Sequence, residues 1–246
     1  MITGGGRGIG RALAQGFINA GARVVVLTRS EPPPLNRSDS ERDRYLAIIG
    51  DVTIERDVQN AVTESLRRFN GIDILINNAG INEVSTFIDA DFDRWARIID
   101  VNLKGTALCT QKVLPLMVKA RYGRIVNIVS RSAEDPVKGR TAYSASKAAV
   151  ITFTKVLAQE LHEMEGCDIL VNGLIPGSTR TNMQPAMGQD ADLVYPYCLT
   201  LATLPPGGPN GRFFRKGRDY SMYAKFNSSG CAKDFHRSHW PSWLRR

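Results

Sequence analysis

Tyr143 and Lys147 stand one helical turn apart in Tyr143-Ser144-Ala145-Ser146-Lys147, thirteen residues after Ser130. A phenol, an ammonium at i+4 on the same face and a hydroxyl upstream can together move a proton to or from a substrate oxygen. A free tyrosine ionises near pH about 10, too high for efficient exchange near neutrality, and a neighbouring cation lowers that value by stabilising the phenolate. Lys147 is spaced to be that cation, Tyr143 to be the acid or base, and Ser130 to hold the reacting oxygen. Taken alone, a Tyr and a Lys four apart occur on many ordinary helices.

A second feature gives the pair its meaning. The chain opens with Thr3-Gly4-Gly5-Gly6-Arg7-Gly8-Ile9-Gly10, followed by a helical apolar pattern in Ile9, Leu13, Phe17 and Ile18. A glycine-rich turn between a strand and a helix lets backbone amides approach a pyrophosphate at the positive end of the helix. Gly4, Gly8 and Gly10 suit those roles, in a G-x-x-x-G-x-G spacing that differs from the common G-x-G-x-x-G. Glycine clusters before helices also make plain tight turns, so the loop alone is weak evidence. A dinucleotide donating hydride and a tyrosine donating a proton would together reduce a carbonyl. The strand Val24-Val25-Val26-Leu27 ends in Thr28-Arg29 with no acid, and Arg7 offers a second cation. A carboxylate there accepts from a free ribose 2′-hydroxyl whereas arginine pairs with a 2′-phosphate, so NADP(H) is expected, with NAD(H) as the alternative.

The elements that must position these groups follow from periodicity. Short β-rich runs at Arg23 to Thr28, Tyr45 to Ile49, Asp73 to Asn77, Arg124 to Val129 and Asp168 to Ile175 alternate with helical patterns at Glu55 to Phe69, Asp91 to Lys119 and Thr141 to Met164. Asp91 and Thr141 are expected N-caps. The alternation predicts one α/β domain with a Rossmann-type, doubly wound parallel sheet. Its first strand reads as truncated, only Met1 to Thr3 remaining, which would leave neighbouring backbone groups without partners. A proline-rich loop, Glu31 to Ser40, replaces the helix expected between the second and third strands.

Composition narrows the functional classes. The 246 residues are 43% hydrophobic, enough for one sizeable core, and no apolar run reaches the roughly 18 residues that would span a bilayer. No leader pattern is seen, and Cys109, Cys167, Cys198 and Cys231 lack paired spacing, so free thiols in a soluble cytoplasmic protein are expected. The net charge is +8, but nine Lys/Arg against two Asp between Arg212 and Arg246 account for +7 of it. The basicity therefore belongs to the tail, and neither nucleic-acid nor membrane binding is expected. Cys231, His236 and His239 match no standard zinc spacing, so no metal is expected.

In order along the chain stand Thr3 to Gly10, Asp51-Val52-Thr53, Asn77-Asn78-Ala79-Gly80, Val101-Asn102-Leu103-Lys104-Gly105, Ser130, Tyr143 to Lys147, and Pro176-Gly177 with Thr181. In these motifs the sequence resembles the short-chain dehydrogenase/reductase family over nearly all of residues 1–223, with residues 224–246 as a basic, poorly ordered tail. The resemblance implies that Thr3, Gly4, Gly6, Arg7, Gly8, Ile9 and Gly10 cradle the cofactor and that Arg29 meets its ribose. It implies that Asp51 and Val52 contact the adenine and that Asn78, Ala79 and Gly80 line the cofactor. Asn102 would hold a helix distortion and a water relaying protons to Lys147, which also binds the nicotinamide ribose. Pro176, Gly177 and Thr181 would fix the nicotinamide, and Asn182 to Tyr197, with Tyr195 and Tyr197, would form a substrate lid. The ending around Phe213 to Arg215 resembles carbonyl-reductase-like members. The implied substrate is a ketone, aldehyde or 3-oxoacyl thioester, and the implied assembly a homo-dimer or tetramer unless the altered C-terminus prevents it. The rival readings are an NAD(H)-preferring alcohol dehydrogenase and a truncated, non-catalytic binding protein.

Overall fold

The computed structural model describes residues 1–36, 38, 43–180 and 188–222. Eight strands form one sheet: β1 Ile2–Thr3, β2 Val24–Thr28, β3 Tyr45–Ile49, β4 Ile74–Asn77, β5 Tyr122–Ile128, β6 Asp168–Ile175, β7 Phe213–Arg215 and β8 Arg218–Asp219. Their order is β3-β2-β1-β4-β5-β6-β7-β8, parallel throughout except for the antiparallel β7–β8 hairpin. The expected parallel sheet thus carries one antiparallel edge. The helices are α1 Gly8–Asn19, α2 Glu55–Phe69, α3 Phe92–Ile99, α4 Gly105–Ala120, α5 Thr141–His162 and α6 Tyr195–Ala202.

Side-chain alternation along each strand explains why helices cover both faces. Val25, Leu27, Leu75 and Ile125 pack with Val58, Val62, Val113, Met117 and Leu161 of α2, α4 and α5. Their neighbours Val24, Val26, Ile76 and Val126 pack on the other side with Leu13, Phe17 and Ile18 of α1 and Cys198 and Leu201 of α6. Strand order reverses at β1, which lies between β2 and β4, and a reversal of this kind opens a crevice at the carboxyl ends of the strands.

The two-residue β1 is held more fully than its length suggests. Ile2 faces both Val26 and Ile76, Gly4 N–H donates to Leu27 O at 2.8 Å, and Ile76 N–H donates to Met1 O at 2.9 Å. The Met1 amino group donates to the Ile74 carbonyl at 2.7 Å. Burial pushes this amine down to about 5, against the opposing pull of Asp73. The unpartnered carbonyl expected beside a clipped strand is therefore satisfied at Ile74.

Of the two expected N-caps, one forms. Asp91 caps α3, its carboxylate accepting from Asp93 and Arg94 N–H. Thr141 does not cap α5. The N-cap is Arg140, which makes no side-chain bond, and the Thr141 hydroxyl instead accepts from Trp95 Nε1 at 3.0 Å. In the proline loop, Arg11 of α1 donates to the carbonyls of Pro33 and Pro34 at 2.5 and 2.7 Å. Gln15 exchanges two bonds with the Asn36 backbone, and Leu35 is buried in the α1 core.

Inside the sheet runs a polar ladder. Asn77 Nδ2 donates to Thr110 Oγ1 at 3.0 Å and to Asn127 Oδ1 at 2.8 Å, and Asn127 Nδ2 donates to Thr154 Oγ1 at 2.8 Å. All four residues are buried, so removing one strands the others. Asn127→Ala is expected to cost about 2 to 4 kcal/mol in a urea melt. A loss under about 1 kcal/mol would show that the neighbours find other partners.

Candidate active site

Between α3 and α4 the backbone makes a π-helical turn, Asp100–Lys104, so the single helix expected from Asp91 to Lys119 carries a local distortion. Asn102, fully buried, sits in that turn. Its Oδ1 accepts from Ile81 N–H at 2.8 Å, and its Nδ2 donates to Ile81 O and to Ser146 Oγ, each at 3.0 Å. The Ser146 hydroxyl passes the connection on to the Tyr143 carbonyl at 2.7 Å. The π-turn is thereby tied to the helical turn that bears Tyr143 and Lys147.

Ser130 follows β5 at the carboxyl edge and caps a short 3₁₀ turn, Arg131–Ala133, its Oγ accepting from Ser132 N–H at 3.1 Å. The Ser130 hydroxyl also hydrogen-bonds the Tyr143 phenol, joining the two groups expected to meet the substrate oxygen. Lys147 is 5% exposed and donates from Nζ to the Ile128 carbonyl at 2.7 Å, with Nζ 5.8 Å from the Tyr143 ring centroid. Burial pushes the ammonium down to about 8, close to physiological pH. A methyl group on Gly80 would lie 3.3 Å from Asn102 Oδ1 and 3.7 Å from Lys147 Nζ, so this glycine keeps open the space between them.

The Tyr143 phenol departs from expectation. Burial raises its proton affinity above the ordinary tyrosine value, and a hydrogen bond from Ser130 and the charge of Arg140 only partly oppose this. Lys147 is expected to lower it, but its ammonium is directed at Ile128 O instead. Such a phenol is fully protonated near neutrality and stands ready as an acid.

The glycine turn is assembled by Thr3 and Asn78. Thr3 Oγ1 accepts from Asn78 N–H and Ala79 N–H, both at 3.0 Å, and Asn78 Nδ2 donates to the carbonyls of Thr3 and Gly4 at 2.9 and 3.2 Å. Both side chains thus help to hold the loop in place. Gly8 has φ of 52°, and a Cβ on Gly10 would come within 2.3 Å of Gly4 O, so neither position accepts a side chain without strain. The start of α1 has no side-chain cap and no acidic residue in its first turn. Its amides are therefore free of the groups that would compete with an anion, and a diphosphate fits there.

Toward the β2 side, Arg7 and Arg29 are exposed, and Thr28 packs against Gly6. Asp51 is less open than expected. Its carboxylate accepts from Thr53 N–H and Oγ1 at 2.9 and 2.8 Å and pairs with Arg97. Burial would raise its pKa, but the Thr53 bonds and the Arg97 charge outweigh that and hold it below the usual carboxylate value. Val52 is buried against Gly105. Past β6, the Pro176 carbonyl accepts from Gln189 Nε2 at 2.9 Å, and Gly177 adopts φ of 80° with open space around it. Thr181 and residues 182–187 of the expected lid lie outside the described residues, as does the tail with Cys231, His236 and His239. Tyr195 and Tyr197, at the end of the expected lid, are described. They begin α6 and pack into the α1 core, Tyr195 edge-on to Phe17 at 5.3 Å.

Sequence reasoning missed Ser146, the Ile128 carbonyl, Arg97 and Gln189, all of which act through partners distant in the chain. No helix among the described residues is long and apolar enough to cross a membrane. Among the same residues, no cluster of three or more His, Cys, Asp or Glu is assembled.

With this geometry in view, comparison with known proteins is informative. Residues 1–192 match the family described as short chain dehydrogenase. The chain is similar to the 3-oxoacyl-[acyl-carrier-protein] reductase FabG of Aquifex aeolicus, 35% identical over 199 residues that cover 79% of each protein. It is also 35% identical over 187 residues to the 3-oxoacyl-[acyl-carrier-protein] reductase of Synechocystis sp., covering 74% of each. Among solved structures, 3-ketoacyl-(acyl-carrier-protein) reductase from Brucella melitensis complexed with NADH superposes with a TM-score of 0.77 at 28% identity, covering 87% of this chain and 94% of that one.

Proposed function

The chain belongs to the short-chain dehydrogenase family and is an oxidoreductase, and from that premise we propose that it interconverts a carbonyl and a secondary alcohol with NADP(H). The observation that carries this reading is the convergence of Ser130, Tyr143 and Lys147 at one carboxyl edge of the sheet, with Asn102 bonded through Ser146 to the same turn. Residues 1–223 form the catalytic domain in this reading, and residues 224–246 an appended basic tail. The protein works as a cytoplasmic homo-oligomer, dimer or tetramer.

The dinucleotide, when bound, supplies or accepts the hydride. The glycine turn from Thr3 to Gly10 and the first amides of α1 would hold its diphosphate, with Asp51 and Val52 at the adenine end and Asn78, Ala79 and Gly80 along its length. Pro176, Gly177 and Thr181 would hold the nicotinamide. Ser130 donates a hydrogen bond to the substrate oxygen, and the Tyr143 hydroxyl gives its proton to the developing alkoxide. Lys147 would bind the ribose hydroxyls, and its charge, 5.8 Å from the Tyr143 ring centroid, would stabilise the phenolate left behind. Asn102 fixes the floor beneath Lys147 and, by resemblance, serves the proton relay. Of the three carbonyl classes expected, the Aquifex and Synechocystis relatives support the 3-oxoacyl thioester.

Arg7 and Arg29, with no acid at the end of β2, support NADP(H). The NADH in the Brucella melitensis structure favours the rival NAD(H) reading. Fluorescence titration of the 246-residue chain with NADPH and with NADH decides between them. Tighter NADPH binding is expected, and Arg29→Ala is expected to weaken NADPH about tenfold or more while leaving NADH within twofold. An equal loss for both would remove the 2′-phosphate assignment.

A further inference from the structure

The hairpin beyond the last parallel strand reaches back to the Ser130 turn. Tyr220, directly after β8, is fixed by its N–H donating to Phe213 O at 2.7 Å, and its hydroxyl donates to Glu134 Oε2 at 2.9 Å, 86 residues away in the chain. Glu134 is the residue that ends the Ser130-capped turn, its N–H donating to Arg131 O at 2.9 Å. Below this bond, Phe213 and Met222 share one buried cluster with Val129, Val150 and Ile151, and Ala133, Leu103 and Tyr220 pack against it. The residues on both sides of Ser130 therefore rest on the β7–β8 hairpin, through an apolar floor and a polar clasp. Burial and the neighbouring Glu134 side chain raise the Tyr220 pKa above the ordinary tyrosine value, against the opposing charges of Arg131 and Arg215.

We propose that Tyr220, acting through Glu134, is a positioning residue that sets the attitude of the Ser130 hydroxyl, making the β7–β8 hairpin part of the reaction machinery. The inference rests on the reading of Ser130 as the oxygen-binding group. A turn held from one side only can rotate its cap residue, and a misplacement of this kind costs rate even when nothing touching the substrate has changed. The bond needs an acceptor at position 134 and a donor at 220, which separates it from a plain packing role. Glutamine can accept from the phenol whereas alanine cannot.

The test compares Tyr220→Phe, Glu134→Ala, Glu134→Gln and the double variant Tyr220→Phe/Glu134→Ala. The readouts are NADPH-dependent reduction of acetoacetyl thioester, NADPH titration, and amide exchange over residues 129–135. Tyr220→Phe and Glu134→Ala are each expected to lower kcat about tenfold, with NADPH affinity unchanged and faster exchange across the turn. The double variant should be no worse than either single change, and Glu134→Gln should stay within about threefold of the parent in kcat. The inference is overturned if Tyr220→Phe keeps the parental kcat, if exchange over residues 129–135 is unaltered, or if Glu134→Gln is as impaired as Glu134→Ala. Absence of any thioester, ketone or aldehyde turnover in the parent chain, or full activity in Ser130→Ala, would instead sink the reading beneath it.

Discussion

Tyr143→Phe is expected to lower kcat by about a thousandfold while leaving NADPH affinity within twofold. The substitution keeps the ring, which faces Lys147 Nζ at 5.8 Å from its centroid, and removes only the hydroxyl. No other described group at this edge combines a transferable proton with the same reach. Ser130 has a far less acidic hydroxyl, and the Lys147 ammonium is directed at the Ile128 carbonyl. Burial raises the Tyr143 pKa, so the phenol carries its proton through the whole neutral range, and reduction should fall as pH rises through about 8, where Lys147 loses its charge. Steady-state turnover and a fluorescence titration on the same preparation make the measurement. Retained turnover would mean that another residue is the acid, and lost binding would mean that the phenol holds the cofactor rather than the substrate oxygen.

Lys147→Met is expected to abolish most turnover, by about a hundredfold to ten-thousandfold, and yet to stabilise the fold. Burial lowers the Lys147 pKa from the ordinary 10.5 to about 8. Below pH 8 both folded and unfolded chains hold the proton, and the whole cost of burying the charge, about 3 kcal/mol, weighs on the native state. Between pH 8 and 10.5 the unfolded chain binds more protons than the folded one, so this cost is relieved as pH rises. Methionine of similar length escapes it but leaves the Ile128 carbonyl without its donor, which takes back about 1 to 2 kcal/mol. A net gain of about 1 to 2 kcal/mol at pH 7 should raise Tm by a few degrees. The advantage of the variant should shrink between pH 8 and pH 10. A variant that melts lower at pH 7, or a gap independent of pH, would show that the ammonium is better solvated than its burial implies.

The sequence yields its elements where one periodicity dominates. The helix from Glu55 to Phe69 and the strands at Tyr45 to Ile49 and Asp168 to Ile175 form with the expected boundaries, because apolar spacing fixes both period and limits. The chemistry at strand ends was equally legible, since Ser130, Thr28 and Asn77 follow apolar runs that place them at one edge. What could not be read are pairings made across the fold. Asp91 behaves as a cap because its partners are two and three residues away. Thr141 does not, because Trp95, 46 residues distant, takes its hydroxyl. The Asp51 carboxylate pairs with Arg97, 46 residues away, a contact that its place after the third strand does not announce. The ladder through Asn77 and Asn127 lies in residues that look like an ordinary strand, and the π-turn at Asn102 leaves the helical apolar pattern almost unchanged. Buried Arg124, paired with Asp168 and bonded to Leu204 O, would be called a surface charge on residue type alone.

The attachment of the proline loop to α1 has a consequence for anyone recombining this chain with its relatives. Arg11 and Gln15 meet carbonyls and an amide that lie 21 to 23 residues downstream. Segment 31–36 and the outer face of the first helix are therefore one inheritable module, although a second strand separates them. Transplanting the loop without that face would leave its carbonyls without these donors, and transplanting the helix alone would orphan a guanidinium and a carboxamide. Crossovers placed before Gly8 and after Asn36 keep the module whole, and a breakpoint between them divides it.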